Sequence, residues 1–185
     1  MEVQHISDDE LLSLFRNPDT KHSAFSKIVN KYKEKLYWHI RRMVIEHNDA
    51  DDVLQNVFIK MWNGMAHFRE ESKLYTWLYR IASNESITHL QKIKKKRTFE
   101  SNNDPANSLE DKIKADEYFD ASKLEWKLQL AIQTLPEQQK LVFSLRYFDD
   151  MPYNEMSEVL GVSVGALKAS YHHAAKKIEH YILNH

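Results

Sequence analysis

Cysteine is absent from the sequence, and only 3 glycines and 4 prolines occur among its 185 residues. Without cysteine the chain can form neither a disulfide framework nor a thiolate ligand for a metal, and thiol catalysis is excluded. Sheet-rich folds need frequent turn residues, so the scarcity of glycine and proline favours helices. The composition therefore predicts an all-α protein without disulfide bonds.

Long apolar runs are also missing. No stretch of about 18 consecutive apolar residues occurs, so neither a transmembrane helix nor direct membrane insertion is expected. The first residues, MEVQHISDDELL, are acidic and polar and do not resemble a secretory signal. The cytoplasm is therefore the expected location. The net charge of −1 does not suggest a nucleic-acid partner, but the distribution of charge matters more than its sum.

Apolar periodicity predicts three helices before the loop at residues 67–72. Ser7 and Glu10 fit a capping box at the start of a short helix that ends near Phe15. Apolar residues from Phe25 to Met43 then recur at steps of three and four, which indicates an amphipathic helix of roughly six turns. His47-Asn48-Asp49 is predicted to break this helix, and Asp49 or a neighbouring aspartate to cap the third.

A fourth helix combines an apolar stripe with a block of positive charge, Lys92 to Arg97. On another face the spacing aligns Arg80, Asn84, Gln91 and Lys95. Arginine can bind phosphate, asparagine and glutamine can bond base edges, and the basic block would attract nucleic acid. The alternative is a solvated polar face with a charged end, and the pattern by itself favours that alternative.

The helical pattern stops between Thr98 and about Ala121. The stretch SNNDPANS is rich in turn residues, and acidic residues follow it, which predicts a flexible acidic linker. A short helix near Leu109 to Phe119 is an equal alternative over part of this span. The chain is predicted to form two small helical domains, at residues 5–97 and 122–183, joined by a linker at residues 98–121.

The second domain contains the pattern of a helix-turn-helix. Pro136 suits the first position of a helix, and Pro152 begins a short one that Gly161 closes at C′. Ser163 then caps a longer final helix. In a helix-turn-helix the second helix enters the major groove of DNA. Many helix pairs with a glycine turn bind nothing, so the pattern leaves both interpretations open.

One face of the final helix lies off its apolar seam. Small residues near the start of this helix would let its backbone approach DNA, and its lysines could neutralise phosphates. A solvated face is the alternative. The residues of this face are Gly165, Ala166, Lys168, Ala169, His172, His173 and Lys176.

Metal binding and catalysis have little support. The sequence contains 10 histidines, but those near the C-terminus lack a recognised ligand spacing, so no metal site and no cofactor is predicted. A helical enzyme, such as a metal-dependent hydrolase, would need a phosphate-binding glycine loop, a carboxylate–histidine cluster or an activated nucleophile. None is evident, so no catalytic residue and no enzymatic activity is predicted.

Three blocks of sequence together resemble the extracytoplasmic-function (ECF) group of bacterial sigma factors, in the sigma-70 superfamily. They are DADDVLQNVFIKMW, then YTWLYRIASN before the basic block, then LPEQQKLVFSLRYFDDMPYNEMSEVLGVSVGALKASYHHAAKKI. The resemblance implies that the first domain is sigma region 2, which binds polymerase and melts the −10 element. It implies that the second is region 4, which reads the −35 element. The implied partners are the β′ and β subunits of core RNA polymerase, promoter DNA and an anti-sigma factor.

The resemblance also assigns site residues. Those implied to bind the β′ coiled coil of core polymerase are Asp51, Asp52, Gln55, Phe58 and Trp62. The loop at residues 67–75 matches the segment that captures a base flipped from the non-template strand. Residues implied at the −10 element are Ser72, Tyr75, Thr76, Arg80, Asn84, Gln91 and Lys95. Those implied at the −35 element are Ser163, Gly165, Lys168, Ala169, His172, His173 and Lys176.

The sequence departs from the family pattern in both domains. The family commonly has glutamate where this chain has Asn56. In the final helix the family often has Thr-Val-Lys-Ser-Arg-Leu-x-Arg-Ala, of which Lys168 is retained here. Ser170 and His173 stand where the family has two arginines, which removes charge-assisted contacts to phosphate or guanine. The −35 contacts are therefore expected to differ from those of the family.

The alternative function is a stand-alone helix-turn-helix regulator that binds duplex DNA without polymerase. It would account for the segment Pro152–Ile178. It assigns no function to the segments Asp51–Trp62 and Thr76–Arg97. The sigma factor explains all three segments and is therefore the prediction.

Overall fold

The computed structural model describes residues 6–69, 71–99 and 123–185, and these residues form eight helices and no strand. The helices are α1 (Asp8–Arg16), α2 (Lys21–Val44), α3 (His47–Met65), α4 (Leu74–Phe99), α5 (Lys123–Gln133), α6 (Glu137–Tyr147), α7 (Tyr153–Leu160) and α8 (Val164–Asn184). The all-α prediction is confirmed. Most of the predicted linker, with its alternative short helix, lies outside the described residues. Among those described, no helix is long and apolar enough to cross a membrane.

Local capping signals set most of the helix boundaries. The side chain of Ser7 accepts the backbone N–H of Glu10 at 3.2 Å, and that of Ser163 accepts the N–H of Ala166 at 3.4 Å. Gly161 follows α7 with a φ of 66°, in the left-handed region that glycine tolerates best. Ser7 and Ser163 as N-caps and Gly161 at the end of α7 are confirmed. Pro136 precedes its helix rather than occupying the first position, because its ψ of 146° is extended.

The break between α2 and α3 was predicted at the wrong residues. It lies at Ile45 and Glu46, and α3 already begins at His47. Ile45 has a φ of 69°, and its N–H donates to the carbonyl of Arg41 at 3.1 Å. A β-branched residue rarely adopts positive φ, so the sequence carried no signal for this turn. Asp49 is in the first turn of α3 and pairs with His89 of α4, with 3.3 Å between Oδ1 and Nε2.

Helices α1 to α4 form the first bundle. Their buried residues recur at helical spacing, and Ile28, Leu36, Ile40 and Met43 of α2 are completely enclosed. The start of α1 is attached to α2 because Asp8 accepts hydrogen bonds from Tyr32 at 2.6 Å and from Lys31 at 2.7 Å. Burial of this kind stabilises a fold by roughly 1.5–3 kcal/mol per large apolar side chain.

Helices α5 to α8 form the second bundle. Its own small core contains Ile132, Phe143, Ala174 and Ile178, and Phe143 stacks on Tyr171 with 5.6 Å between ring centroids. Helices α7 and α8 are the predicted helix-turn-helix. The two bundles are also packed on each other, since α2 contacts α6 and α4 contacts α7.

Lys140 of α6 is buried beside this contact between the bundles, with 7% of its surface exposed. Its Nζ donates to Oε1 of Gln133 at 2.5 Å, and Nε2 of Gln133 donates to the carbonyl of Arg42 in α2 at 3.1 Å. Burial lowers the pKa of Lys140 from 10.5 to about 8, against a smaller opposing influence of Glu137.

The low pKa of Lys140 predicts a pH dependence of stability. Above pH 8 the folded chain loses this proton, while the unfolded chain retains it until about pH 10.5. Because the unfolded state then binds more protons, the free energy of unfolding should rise with pH, by about 2 kcal/mol between pH 7 and pH 10. Urea unfolding followed by far-UV circular dichroism at each pH measures this rise.

The control for this prediction is Lys140→Met, which should flatten the pH dependence in that window. The pKa values of the buried tyrosines Tyr32 and Tyr79 are raised, so their opposing effect begins only above about pH 10, where unfolded tyrosine ionises. If the free energy of unfolding rose equally with pH in the wild-type protein and in Lys140→Met, the assignment of this rise to Lys140 would be contradicted.

Candidate nucleic-acid interface and polymerase-binding face

The polar residues predicted to bind polymerase lie on the outer side of α3. Asp52 and Gln55 are exposed. Asp51 is partly exposed and pairs with His47 one turn earlier, with 3.3 Å between Oδ2 and Nε2. The first half of α3 therefore presents carboxylates and an amide to solvent, where another protein can reach them.

The two aromatic residues of α3 that were also predicted to bind polymerase lie partly inside the bundle. Phe58 and Trp62 are half-buried. The Trp62 ring has Phe15, His22 and Phe25 around it, at centroid distances of 5.6, 5.0 and 4.9 Å, and Lys21 lies 4.7 Å above it. Such contacts fix α1 and α2 against α3. Trp62 thus stabilises the position of the exposed face of α3 through its packing against α1 and α2.

Ile59 belongs to the same face and was missed in the sequence. Its side chain is 59% exposed, and it follows Asp52 and Gln55 at helical spacing. The sequence contained a signal, because Ile59 lies outside the stripe formed by Val57 and Met61. Ile59 therefore adds an apolar side chain to this face that a protein partner could bury.

The predicted −10 residues on α4, and Ser72 just before it, fall into three groups by burial. Arg80, Asn84, Gln91 and Lys95 are exposed on one side, while Ser72 and Tyr75 are half-buried. Thr76 is completely buried, and its hydroxyl has no hydrogen-bond partner. The expectation that Thr76 is accessible to DNA is therefore not met in this arrangement of the two bundles.

A cavity of about 540 Å³ lies at the loop predicted to capture a base. Its wall contains Phe68 and Trp77, with ring centroids 5.1 Å apart, together with the basic residues Arg69 and Arg80 and the acidic residues Glu71 and Glu158. Gly64 permits this arrangement, since a Cβ there would be 2.8 Å from the Trp77 ring. Aromatic rings beside cations suit a nucleotide, whose base stacks and whose phosphate is negative.

The predicted −35 residues are all exposed on α8 or at its start, and they are Ser163, Gly165, Lys168, Ala169, His172, His173 and Lys176. A Cβ added to Gly165 would meet nothing within 4 Å. Packing therefore does not require glycine at this position. The small residues leave the backbone of the first turn open to close approach by a large partner.

Comparison with known proteins identifies the family. The model for sigma-70 region 2 matches residues 28–97, and the model for sigma-70 region 4 matches residues 125–178. The chain is 30% identical over 187 residues to the ECF RNA polymerase sigma-E factor of Haemophilus influenzae, with 97% of each chain covered. The chain belongs to the ECF sigma factors. This sigma factor therefore has region 2 in the first bundle and region 4 in the second.

Other relatives agree with this membership. The RNA polymerase sigma-H factor of Pseudomonas aeruginosa is 29% identical, over 93% of this sigma factor and 92% of the relative. The ECF RNA polymerase sigma factor SigW of Bacillus subtilis is 30% identical, over 80% of this sigma factor and 83% of the relative.

Two solved structures share the fold. The sigma factor RpoE of Bartonella quintana, in complex with the anti-sigma factor NepR, has a TM-score of 0.68 at 17% identity, covering 86% of this chain and 97% of that chain. CnrH, in complex with the cytosolic domain of CnrY, has a TM-score of 0.65 at 22% identity. This match covers 93% of this chain and 94% of that chain.

Proposed function

We propose that this ECF sigma factor binds core RNA polymerase, directs it to specific promoters and assists the melting of promoter DNA. The observation that supports this proposal is the presence, in one chain, of an exposed polar and apolar face on α3, a basic face on α4 and an open helix-turn-helix. The chain itself makes or breaks no bond; it positions DNA on an enzyme. We place it in the cytoplasm, where bacterial polymerase meets the chromosome.

We propose that region 2 comprises residues 5–97 and region 4 comprises residues 122–183, with residues 98–121 linking them. The family models match residues 28–97 and 125–178, within these bounds. Region 2 would dock on the β′ subunit through Asp51, Asp52 and Gln55, with Ile59 as an apolar contact that completes the face. Phe58 and Trp62 would hold that face in shape through the packing of α1 and α2 against α3.

Recognition of the −10 element would begin with capture of one unstacked base. Unstacking costs a few kcal/mol, so the capturing site must offset that cost. The cavity beside Phe68 and Trp77 offers aromatic surface, and Arg80 and Asn84 lie along α4 toward the basic end. Gln91 and Lys95 would follow the phosphate backbone from there.

Recognition of the −35 element would use α8. Gly165 and Ala169 allow its first turns to enter the major groove, and Lys168 and Lys176 would contact phosphates. His173, which stands where the family often has arginine, and the adjacent His172 would donate hydrogen bonds. Since two structural neighbours were solved in complex with an anti-sigma factor or with the cytosolic domain of CnrY, we also propose an anti-sigma partner.

Reconstitution with core polymerase tests the function. Core RNA polymerase without a sigma subunit should transcribe from a subset of a random promoter library once this chain is added, and sequencing of the transcripts would reveal the promoter. The alternative, a stand-alone regulator, predicts tight binding to duplex DNA without polymerase and no binding to core. That pair of results would reject the sigma function.

A further inference from the structure

The exposed face of α8 carries two adjacent histidines between its lysines. His172 follows Lys168 by four residues and precedes Lys176 by four, so these side chains lie along one side of the helix. His173 is next to His172, with 6.0 Å between the ring centroids, and both side chains are exposed. We call these two residues the histidine pair. The buried residues of α8 lie on the opposite side of the helix, and they are Leu167, Ala174 and Ile178.

The lysines of α8 near the histidine pair contact neutral groups of the neighbouring helices. Nζ of Lys168 lies 5.8 Å from the centroid of the Tyr153 ring in α7. Nζ of Lys177 donates to Oε1 of Gln139 in α6 at 3.0 Å. Neither contact neutralises the ammonium group, so this side of α8 keeps its positive charge.

The carboxylates of the helices packed against α8 have other neighbours. Glu155 of α7 pairs with Lys73 of α4 at 2.8 Å, and Glu158 borders the cavity beside the loop at residues 67–72. Glu137 of α6 acts on Lys140, whose pKa burial lowers. The other charged residues of α5, α6 and α8 whose side chains are described are Glu125, Lys127, Arg146 and Glu179. Within the described residues, no carboxylate forms an ion pair with the histidine pair.

An imidazole differs from the other basic side chains because its charge changes near neutral pH. In water histidine gains its second ring proton near pH 6.5, whereas lysine and arginine stay charged to about pH 10 and beyond. Each DNA phosphate that a cation neutralises releases condensed counterions, so a phosphate binds the charged imidazole more strongly than the neutral one. The resulting gain in affinity is fully present at low pH and is lost as rising pH removes the proton from the bound imidazole.

We propose that the histidine pair makes recognition of the −35 element dependent on pH, because its protonated imidazoles contact phosphates of the duplex. Lys168 and Lys176 supply the phosphate contacts that remain when the imidazoles are neutral. Region 4 therefore holds the promoter more tightly as the pH falls from about 8 to about 6. This inference rests on the proposed function of region 4 at the −35 element.

Binding of promoter DNA by the reconstituted holoenzyme tests this inference. The probe is a fluorescent duplex carrying both elements of a promoter that the holoenzyme selects, and the reference is a shorter duplex that lacks the −35 DNA. The ratio of the two affinities isolates the contribution of region 4 from that of core polymerase. For the wild-type chain this ratio should rise about tenfold between pH 8 and pH 6.

The salt dependence of the same ratio gives a second readout. The logarithm of an affinity for DNA falls linearly with the logarithm of the salt concentration, by about 0.9 for each phosphate that the protein neutralises. At pH 6 the wild-type slope should therefore be steeper than at pH 8 by about one unit for each histidine that contacts a phosphate.

Two double variants separate charge from hydrogen bonding. His172→Gln combined with His173→Gln keeps a hydrogen-bond donor at each position but cannot gain a proton. Its affinity ratio should stay the same at both pH values. His172→Arg combined with His173→Arg is charged throughout, so its affinity ratio at pH 8 should equal the wild-type ratio at pH 6.

The matched control is His185→Gln, an exposed histidine that follows α8. Its ring stacks on Tyr181 with 4.4 Å between the centroids. It follows buried Ile178 by seven residues, so it lies on the side of the helix away from the histidine pair. His185→Gln should keep the full pH dependence of the wild-type chain.

The outcomes separate this inference from the proposed function. An equal rise in the affinity ratio between pH 8 and pH 6 in the wild-type chain and in the glutamine double variant would overturn the inference. An arginine double variant that binds no more tightly than the wild-type chain at pH 8 would also overturn it. All these substitutions are at exposed positions, and circular dichroism should show the wild-type helix content. Absence of transcription with the wild-type chain at every pH would reject the proposed function, whereas normal transcription without any effect of the histidine variants would overturn only this inference.

Discussion

Ile59→Arg should lower the affinity of this sigma factor for core RNA polymerase by about 100-fold. The Ile59 side chain is 59% exposed and stands beside Asp52 and Gln55 on α3. An apolar residue at the centre of a protein interface becomes fully desolvated on binding, and a guanidinium at that position would be buried without a partner. Fluorescence anisotropy of the labelled chain, titrated with core polymerase, measures the affinity.

The matched control for this prediction is Leu183→Arg in the last turn of α8. Leu183 is 77% exposed, so the same substitution is made at an even more exposed apolar residue, on a helix of the other bundle. Both variants should unfold at nearly the wild-type denaturant concentration, because exposed substitutions change stability by only about 0.5 kcal/mol. Equal losses of affinity in the two variants would show that Ile59 is not part of the binding face.

Asn84→Ala should reduce open-complex formation by roughly 30- to 100-fold and leave the affinity for core polymerase unchanged. The Asn84 side chain is exposed on α4, one turn after Arg80. Its amide can donate to and accept from a base edge, and alanine can do neither. Permanganate reactivity of unpaired thymines in the −10 element, followed over time, measures how quickly the promoter opens.

Asn30→Ala provides the control, since Asn30 is an exposed asparagine on α2, away from the face of α4. It should open promoters at the wild-type rate. A pull-down with core polymerase, done on the same preparations, separates a defect in DNA capture from a defect in assembly. If Asn84→Ala lost both activities together, misfolding of region 2 would be the explanation, and the assignment of Asn84 to DNA would fail.

Local features of the chain were predictable because they depend on residues near each other in sequence. Steps of three and four between apolar residues placed the helices, and Ser7, Ser163 and Gly161 marked their ends. The boundary at Ile45 was not predictable, since a positive φ at a β-branched residue is stabilised only by its surroundings. Family resemblance then supplied the order of the regions, and the comparisons confirmed it.

The sequence predicted which residues of each candidate site share a helix face, but not which of those residues are exposed in the folded protein. Periodicity states which residues share a side of α3 or α4, yet it does not state what packs against that side. Trp62 and Asn84 both belong to predicted sites, but one is enclosed by aromatic rings while the other is exposed. Ile59 shows the converse, an apolar residue that no other helix covers.

The sequence by itself determined the all-α fold, the order of the two regions and the residues available for recognition. Only the tertiary structure decided that Asp149 meets His39 and Arg42, more than 100 positions earlier in the chain. The physical reason is that contacts between distant segments depend on how whole helices pack, and that packing is the sum of many weak contacts. Helix packing also brings Arg80 against the backbone carbonyl of Glu158 and decides that Asn84 of α4 is exposed while Thr76 is buried.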